Sequence, residues 1–168
     1  MKSVPANDTD EDGGTRLRVL SHEEIAERSF LSLCLGNPGE ARRYLQLMTD
    51  AHFTTEPARA SFNWVKDRVE LKKPGSEVDT SRLPMDHAAR ELLPELIIRS
   101  QTESAAPEAL PEYYFRLCES ELSRRISAVK STIADAGDGD AGLRELYHLE
   151  ARRRDILKVI QEGTYENA

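Results

Sequence analysis

The sequence has few of the residues from which metal centres and disulfide frameworks are built. Only 2 of its 168 residues are cysteines, and Cys34 and Cys118 lie far apart. A zinc site needs paired Cys or His ligands at short spacing, and no such pair occurs. Both cysteines have apolar neighbours, which favours small buried side chains in a reducing compartment. We therefore expect no metal and no other cofactor.

Long apolar runs are also missing. No stretch approaches the ~18 consecutive apolar residues of a membrane span, and Met1 is not followed by the apolar core of a signal peptide. We expect a cytoplasmic protein that does not enter a membrane. Aromatic residues make up 6% of the chain and charged residues 32%, a balance that suits a well-solvated helical protein with a modest core.

A broad basic face is absent too. The formal net charge is −7, and the only dense basic cluster is Arg152-Arg153-Arg154, which Glu150 and Asp155 flank. Nucleic-acid modules normally present many Lys and Arg residues on one face. We therefore expect no direct, specific nucleic-acid binding.

Motifs that carry catalysis do not occur. We find no Gly-rich phosphate loop, no nucleophile elbow and no His-Glu-x-x-His helix. The four histidines are isolated from one another along the chain: His22, His52, His87 and His148. They are expected on the surface or at helix caps. The pairs Glu23/Glu27 and Glu91/Glu95 lack a facing Glu-x-x-His partner, so we expect solvated faces. Nothing in the sequence indicates an enzyme.

The sequence does contain strong helix signals. Ser21 and Glu24 form a Ser-x-x-Glu capping box, and the helix that follows should end at Gly36-Asn37-Pro38. Ala41, Tyr44, Leu45 and Met48 then recur at helical spacing. A loop from Asp50 to Phe53 should place Phe53 in the core.

Two further helices complete the predicted bundle. One should start near Pro57, which suits a first helical turn. The next should start near Pro84 and be kinked or split at Pro94, before a linker from Gln101 to Pro107. The predicted core residues are Phe30, Leu33, Leu45, Phe53, Phe62, Trp64, Leu92 and Leu96.

The last third, from Pro111 to Glu162, is predicted to be a helical hairpin that projects from the bundle. Its first arm has an apolar row of residues three or four apart: Leu122, Ile126, Val129 and Ile133. Three closely spaced glycines, Gly137, Gly139 and Gly142, favour a turn. The second arm has its own apolar row: Leu143, Leu146, Leu149, Ile156, Leu157 and Ile160. This row is expected to pack on the first arm and to leave Tyr147, Arg153, Leu157 and Ile160 near its edges.

The predicted fold is therefore all-α, a compact multi-helix bundle followed by a long C-terminal helical hairpin. We divide the chain into a disordered acidic leader (1–18), the bundle (19–106), the long helix and hairpin (107–163) and a flexible tail (164–168).

One segment resembles a known family. Glu27-Arg-Ser-Phe-Leu-Ser-Leu-Cys-Leu-Gly-Asn-Pro38 is similar to the opening helix of a fold that two bacterial replication proteins share. These are the C-terminal, helicase-binding domain of DnaG-type primase and the N-terminal domain of DnaB-type replicative helicase. In both, a short helix, an Asp-x-x-Phe loop and a helix with spaced Phe residues follow, as in Arg42–Met48, Asp50–Phe53 and Pro57–Val69 here.

The C-terminal part favours the primase. Primases of this type end in a long helix and helical hairpin, similar to Glu121–Leu157 here, whereas the helicase would continue into a motor domain with a phosphate loop. The zinc ribbon and polymerase core of a full primase are missing from this sequence. The resemblance implies a non-catalytic domain that binds the DnaB-type helicase and couples primer synthesis to the replication fork. The chain alone is expected to be a monomer.

Two other interpretations remain open: a free-standing adaptor or orphan helicase N-terminal-like domain, and a helical protein that associates with its own copies. If the second arm is the docking surface, the candidate partner-binding residues are Tyr147, Arg152, Arg153, Ile156, Leu157 and Ile160. Arg153 interrupts the apolar row, and its guanidinium is expected to meet either a carboxylate of the partner or its neighbours Glu150 and Asp155.

Overall fold

The chain enters its first helix through the predicted capping box. In the computed structural model, which describes residues 19–70, 87–102, 106–136 and 139–165, the Ser21 hydroxyl accepts the Glu24 N–H at 3.1 Å. The Glu24 carboxylate accepts the Ser21 N–H at 2.9 Å. Helix α1 spans His22–Gly36. Helix α2, Pro38–Leu47, begins directly at the proline, because a first-turn residue needs no N–H partner.

A short turn connects α2 to α3. A 3₁₀ turn, Asp50–His52, carries Phe53 into the core, as predicted. Helix α3, Glu56–Glu70, starts one residue before Pro57. The Phe53 and Phe62 rings stack with their centroids 4.9 Å apart, which fixes the start of α3 against the turn.

Seven of the eight predicted core residues are buried, and the eighth, Trp64, is only partly buried. Trp64 only packs against the edge of the core, with the Arg68 guanidinium 5.3 Å from its ring. Trp64 follows Phe62 by two residues, which places it about 200° around the helix from the buried face. The seven buried residues are Phe30, Leu33, Leu45, Phe53, Phe62, Leu92 and Leu96.

Pro94 splits the next helix, as predicted. On its N-terminal side lies a 3₁₀ turn, Ala88–Glu91, and on its C-terminal side helix α4, Leu93–Thr102, with Pro94 in its first turn. The predicted start near Pro84 lies outside the described residues. Helix α4 continues through Thr102, so the linker predicted from Gln101 onward starts too early.

The last two helices form the predicted hairpin. Helix α5, Leu110–Ala136, has 27 residues, and α6, Gly139–Glu162, has 24. The second arm begins at Gly139 rather than Leu143, because glycines are tolerated in a first turn whose N–H groups have no helical partner. Across the described ranges the elements are helices and 3₁₀ turns without strands, which confirms the all-α fold.

The hairpin is not separate from the bundle at its base. Leu110 and Leu117 of α5 are fully buried in the same core as α1 and α3. The predicted division between residues 106 and 107 therefore runs through one continuous core. A smaller core of Leu122, Ile126 and Leu149 holds the distal part of the hairpin together. Within the described ranges, no helix has the length and apolar character needed to cross a membrane.

The candidate docking surface on the helical hairpin

One face of α6 packs against α5 through residues that alternate three and four apart. A Cβ atom added to Gly142 would lie 2.8 Å from Cγ1 of Ile133, so the helices approach closely where the hairpin begins its return. Farther along, Leu149 packs against Leu122 and Ile126. The row continues through Arg153 and is typical of an antiparallel coiled-coil seam.

Arg153 makes an ion pair inside this seam. Its Nε donates to Oε1 of Glu119 on α5 at 2.6 Å, and the same carboxylate oxygen accepts the Ser123 hydroxyl at 2.9 Å. The expected pairing with Glu150 or Asp155 is not what the structure shows. Glu150 instead pairs with Lys130 at 3.0 Å, and Arg153 serves the contact between the two arms.

A further ion pair lies beside the seam. Arg125 of α5 and Glu145 of α6 are 3.6 Å apart. Together with Lys130–Glu150, it joins the arms on their solvent-exposed flanks, as charged residues do beside coiled-coil seams. Such exposed pairs contribute little stability each, but they favour the antiparallel pairing over other arrangements.

Two apolar side chains on α6 are exposed. Tyr147 is 70% exposed and Leu143 is 41% exposed. Residues four apart lie on one helix face, so these two side chains, here called the tip pair, share the outer side of α6. The placement of Leu143 corrects the prediction that it packs in the inner row. Its position one residue after Gly142 turns it out of the seam.

The C-terminal half of α6 returns to the bundle. Leu157 and Ile160 line a cleft of about 260 Å³ with Ala26 of α1 and Leu117 of α5. The Tyr165 ring stacks on Phe115 with centroids 5.8 Å apart. The hairpin therefore projects from the bundle only in its distal part.

The six predicted partner-binding residues do not form one surface. They are distributed over the outer face, the seam and the cleft: Tyr147 and Arg152 are exposed, Arg153 and Ile156 lie at the seam, and Leu157 and Ile160 line the cleft. Sequence reasoning missed Glu119 as the partner of Arg153. Extending the row of Leu122 and Ile126 by one three-residue step toward the N-terminus would have placed Glu119 on the seam.

A polar network connects the base of the hairpin to the bundle. The Ser120 hydroxyl donates to the Glu23 carboxylate. Arg124 donates to Ser120 Oγ at 2.8 Å and to the Ala51 carbonyl at 2.8 Å, and lies 3.8 Å from Glu23. These bonds link α5 to the first turn of α1 and to the 3₁₀ turn, so they fix the direction in which the hairpin leaves the bundle.

Glu27 is buried, although the sequence predicted a solvated face. Its side chain is 1% exposed, and its carboxylate accepts the Thr54 N–H at 2.5 Å. Burial raises the pKa of Glu27 above its usual value of 4.5, because desolvation outweighs the hydrogen bonds from Thr54 and the attraction of Arg124. The carboxyl group holds the end of the 3₁₀ turn against α1.

The thiols and histidines have mainly structural surroundings. Both cysteines are free and buried, as predicted. Burial raises the pKa of Cys118 to about 11 and that of Cys34 well above its usual value, so both thiols are protonated at neutral pH.

Burial lowers the pKa of His52, which bonds to Thr49, and His87 accepts the Ala89 N–H as a cap. In the part of the chain that the structure describes, no group of three or more His, Cys, Asp or Glu residues could hold a metal ion.

Comparisons of the chain with protein-family models, with curated proteins and with solved structures found no match. Function is therefore inferred from the residues and their geometry. The geometry offers two places for another molecule: the tip pair on the outer face of α6, and the cleft between α1, α5 and α6.

Proposed function

We propose that this chain is a non-catalytic docking domain of the kind found at the C-terminus of DnaG-type primase, and that it binds a DnaB-type replicative helicase through the hairpin. The observation that carries the proposal is the tip pair. Tyr147, 70% exposed, and Leu143 lie on a helix whose opposite face is already packed on α5. Exposed apolar side chains on a rigid helix are typical of interaction surfaces.

The order of elements supports the resemblance from which the proposal comes. Helix α1 ends at Gly36, Asn37 separates it from the short α2, which begins at Pro38, and Phe53 enters the core after the 3₁₀ turn. Helix α3 then supplies the spaced core residues, and the long α5 forms the hairpin with α6. This is the sequence of parts that the helicase-binding domain of primase would have.

The rigidity of the hairpin favours tight docking. The seam, the Arg153–Glu119 pair and Gly142 hold α6 on α5 before any partner arrives. A surface that is ordered in advance loses less conformational entropy on binding. Tyrosine adds a large contact area with only two side-chain torsions, which is one reason it is frequent at binding hot spots. In such a domain the hairpin would attach primer synthesis to the helicase at the fork.

The same tip pair could instead join two copies of this chain. An exposed Leu and Tyr on one helix face can form a symmetric contact with the same face of a second copy. Helicase binding and self-association therefore predict different masses for the chain alone, which size-exclusion chromatography with light scattering measures directly.

The test is titration of a labelled DnaB-type helicase with the wild-type chain and two single variants. Tyr147→Ala and Leu143→Ala should each weaken binding by about 1–3 kcal/mol, the range of interface anchors. Leu47→Ala is the matched control, because Leu47 is also exposed but lies on α2, outside the hairpin. Equal affinity of all four proteins would contradict the proposed surface, and no binding by the wild-type chain would contradict the proposed function.

A further inference from the structure

The 3₁₀ turn Asp50–His52 is the place where the bundle meets the base of the hairpin. Arg124 of α5 donates to the Ala51 carbonyl at 2.8 Å and lies 3.8 Å from Glu23 of α1. The residue after Ala51 is a histidine, the side chain whose charge changes near neutral pH. A positive charge on His52 therefore appears beside the hydrogen bond that joins the turn to the hairpin.

The Nδ1 atom of His52 lies between the two backbone groups of Thr49, the residue before the turn. It is 3.2 Å from the Thr49 nitrogen and 3.1 Å from the Thr49 carbonyl oxygen. A neutral ring with its proton on Nε2 accepts a hydrogen bond from this N–H, whereas a protonated ring has only donors. The carbonyl already accepts the backbone N–H of His52 at 3.2 Å, which closes the turn. Protonation therefore leaves the Thr49 N–H without this acceptor and gives one carbonyl two competing donors.

Both arms of the hairpin place an arginine near the His52 ring. Arg124 of α5 and Arg152 of α6 disfavour a positive ring, whereas Glu121 of α5 favours it. The pKa of His52 lies below its usual value of 6.5, because desolvation by burial and the two arginines outweigh the bond to Thr49 and the attraction of Glu121. At pH 7.5 the ring is therefore neutral, and it gains its charge only in mild acid.

We propose that His52 is a pH-sensitive switch that controls the direction in which the hairpin leaves the bundle. The neutral ring keeps the turn closed and lets Arg124 hold the Ala51 carbonyl. The protonated ring adds a third cation beside Arg124 and Arg152, opens the bond to Thr49 and loosens the contact between the turn and α5. Because the folded pKa is lowered, the contribution of His52 to stability is present above about pH 6.5 and is lost as the pH falls through the folded pKa. The proposal goes beyond helicase docking and does not depend on it.

The angle between bundle and hairpin is measured on the full chain with two nitroxide labels. Leu47→Cys on α2 and Arg144→Cys on the distal part of α6 provide exposed attachment sites, and the two native cysteines are buried. Double electron–electron resonance gives the distribution of label distances at pH 7.5 and pH 5.0. The population outside the main distance should rise by about two- to fivefold at pH 5.0, the change expected from interactions between partly exposed charges.

The principal variant is His52→Asn in the labelled chain. The asparagine side-chain oxygen can replace Nδ1 as acceptor for the Thr49 N–H, and it does not ionise. The distribution should then be the same at both pH values. His148→Asn is the matched control, because it removes an exposed histidine of α6 and should leave the response to acid unchanged. Glu27 is present in all these proteins, so its own titration cancels in the comparison.

Arg152→Gln provides a second variant at an exposed position, where the fold tolerates the change. It removes one of the two cations that face His52, so it should raise the midpoint of the His52 titration, measured by NMR, and reduce the change in the distance distribution at pH 5.0. Arg154→Gln is its control, since two residues along α6 correspond to a rotation of about 200° to another face.

Three outcomes would overturn the proposal. The first is a wild-type distance distribution that does not change between pH 7.5 and pH 5.0. The second is an equal change in a folded His52→Asn variant. The third, which decides the question if His52→Asn does not fold, is a His52 midpoint and a distance distribution that are the same in Arg152→Gln as in the wild type. Loss of helicase binding at both pH values would bear on the tip pair and leave this response to acid unchanged.

Discussion

Glu27 is the residue whose burial departs most clearly from what its neighbours in sequence suggest. It follows Glu23 by one helical turn, which in sequence suggests a solvated acidic stripe. In the fold Glu27 faces the end of the 3₁₀ turn and is removed from solvent, while Glu23 stays at the rim of the cleft. A buried carboxylate costs free energy unless its hydrogen bonds compensate for lost hydration, and here the raised pKa shows that compensation is partial.

This imbalance predicts the effect of Glu27→Gln on stability. Because the folded pKa of Glu27 lies above the usual 4.5, the folded state binds its proton more tightly than the unfolded state. The contribution of the Glu27 carboxyl group to the free energy of unfolding is then greatest below about pH 4.5 and is lost as the pH rises through the folded pKa. The glutamine keeps an acceptor for the Thr54 N–H and never ionises.

We therefore expect Glu27→Gln to raise the free energy of unfolding at pH 7.5 by about 1 kcal/mol, with a smaller gain at pH 4. Urea unfolding of both proteins at the two pH values measures it. Glu24→Gln is a control on the same helix, outside this contact with Thr54. Loss of stability in Glu27→Gln at pH 7.5 would mean that the ionised carboxylate is needed, against the expected sign.

Residues whose environment depends on a distant element could not be placed from sequence. Ser21 and Glu24 were predicted correctly because a capping box involves only neighbours along the chain. Glu27 was not, since its burial depends on how the 3₁₀ turn meets α1. The partial exposure of Trp64 is a local effect of its spacing from Phe62 along α3. Residue type alone favoured a buried Trp and an exposed Glu.

At the scale of elements, the contact between α5 and α6 combines an apolar seam with one ion pair. Arg153–Glu119 lies among apolar positions, with side chains 42% and 23% exposed. A polar pair in such a seam adds little net stability, but it can specify the register of the two helices. An Arg153→Glu variant would consequently act first by repelling Glu119 within the hairpin, and only indirectly on a partner.

A double-mutant cycle tests this role. Arg153→Leu and Glu119→Leu should each lower the free energy of unfolding by roughly 1 kcal/mol, because each leaves one charge without its partner. The double variant should recover at least the wild-type value, since leucines would continue the apolar seam. Urea unfolding of the four proteins gives the coupling free energy. Strictly additive losses would show that the pair does not couple the two helices.

Helix ends were predictable where the backbone chemistry is local. Pro94 splits its helix because it lacks an N–H and its ring excludes the preceding turn, whatever surrounds it. The start of α6 was not predictable from its glycines. Gly142 lies inside the helix, and a glycine occupies that position because Ile133 of α5 leaves no room for a Cβ atom. This requirement is visible only when the two arms are placed together. The end of α6 is simpler: Gly163 has a φ of 63°, which favours glycine.

At the scale of the whole molecule, the fold class and the hairpin follow from the sequence, but the docking surface does not. Periodicity identifies which residues share a helix face. It does not tell which face meets another helix when both arms carry apolar rows. Leu143 was therefore placed in the row that packs on the first arm, and Leu157 near the edge of that row among the candidate partner-binding residues. The structure instead exposes Leu143 and turns Leu157 toward α1. The apolar residues needed for docking and for packing look alike until the register of the arms is known.

The continuity of the core predicts how the chain responds to truncation. Removing Leu143 to Ala168 deletes most of α6 but keeps Leu110 and Leu117, which complete the main core. A shorter fragment that ends at Gln101 loses both leucines. Each fully buried leucine contributes about 2–5 kcal/mol when its side chain is removed. Two such losses approach the total stability of a small domain, about 5–15 kcal/mol.

The fragment that retains α5 should therefore unfold cooperatively, at a lower temperature than the full chain, whereas the fragment ending at Gln101 should show no cooperative transition. Circular dichroism during heating distinguishes them. Both should fail to bind helicase, but only the first failure would be informative, because its bundle is folded. A cooperative transition in the shorter fragment would show that α1 to α4 have a sufficient core of their own, and that α5 is attached to the bundle rather than part of it.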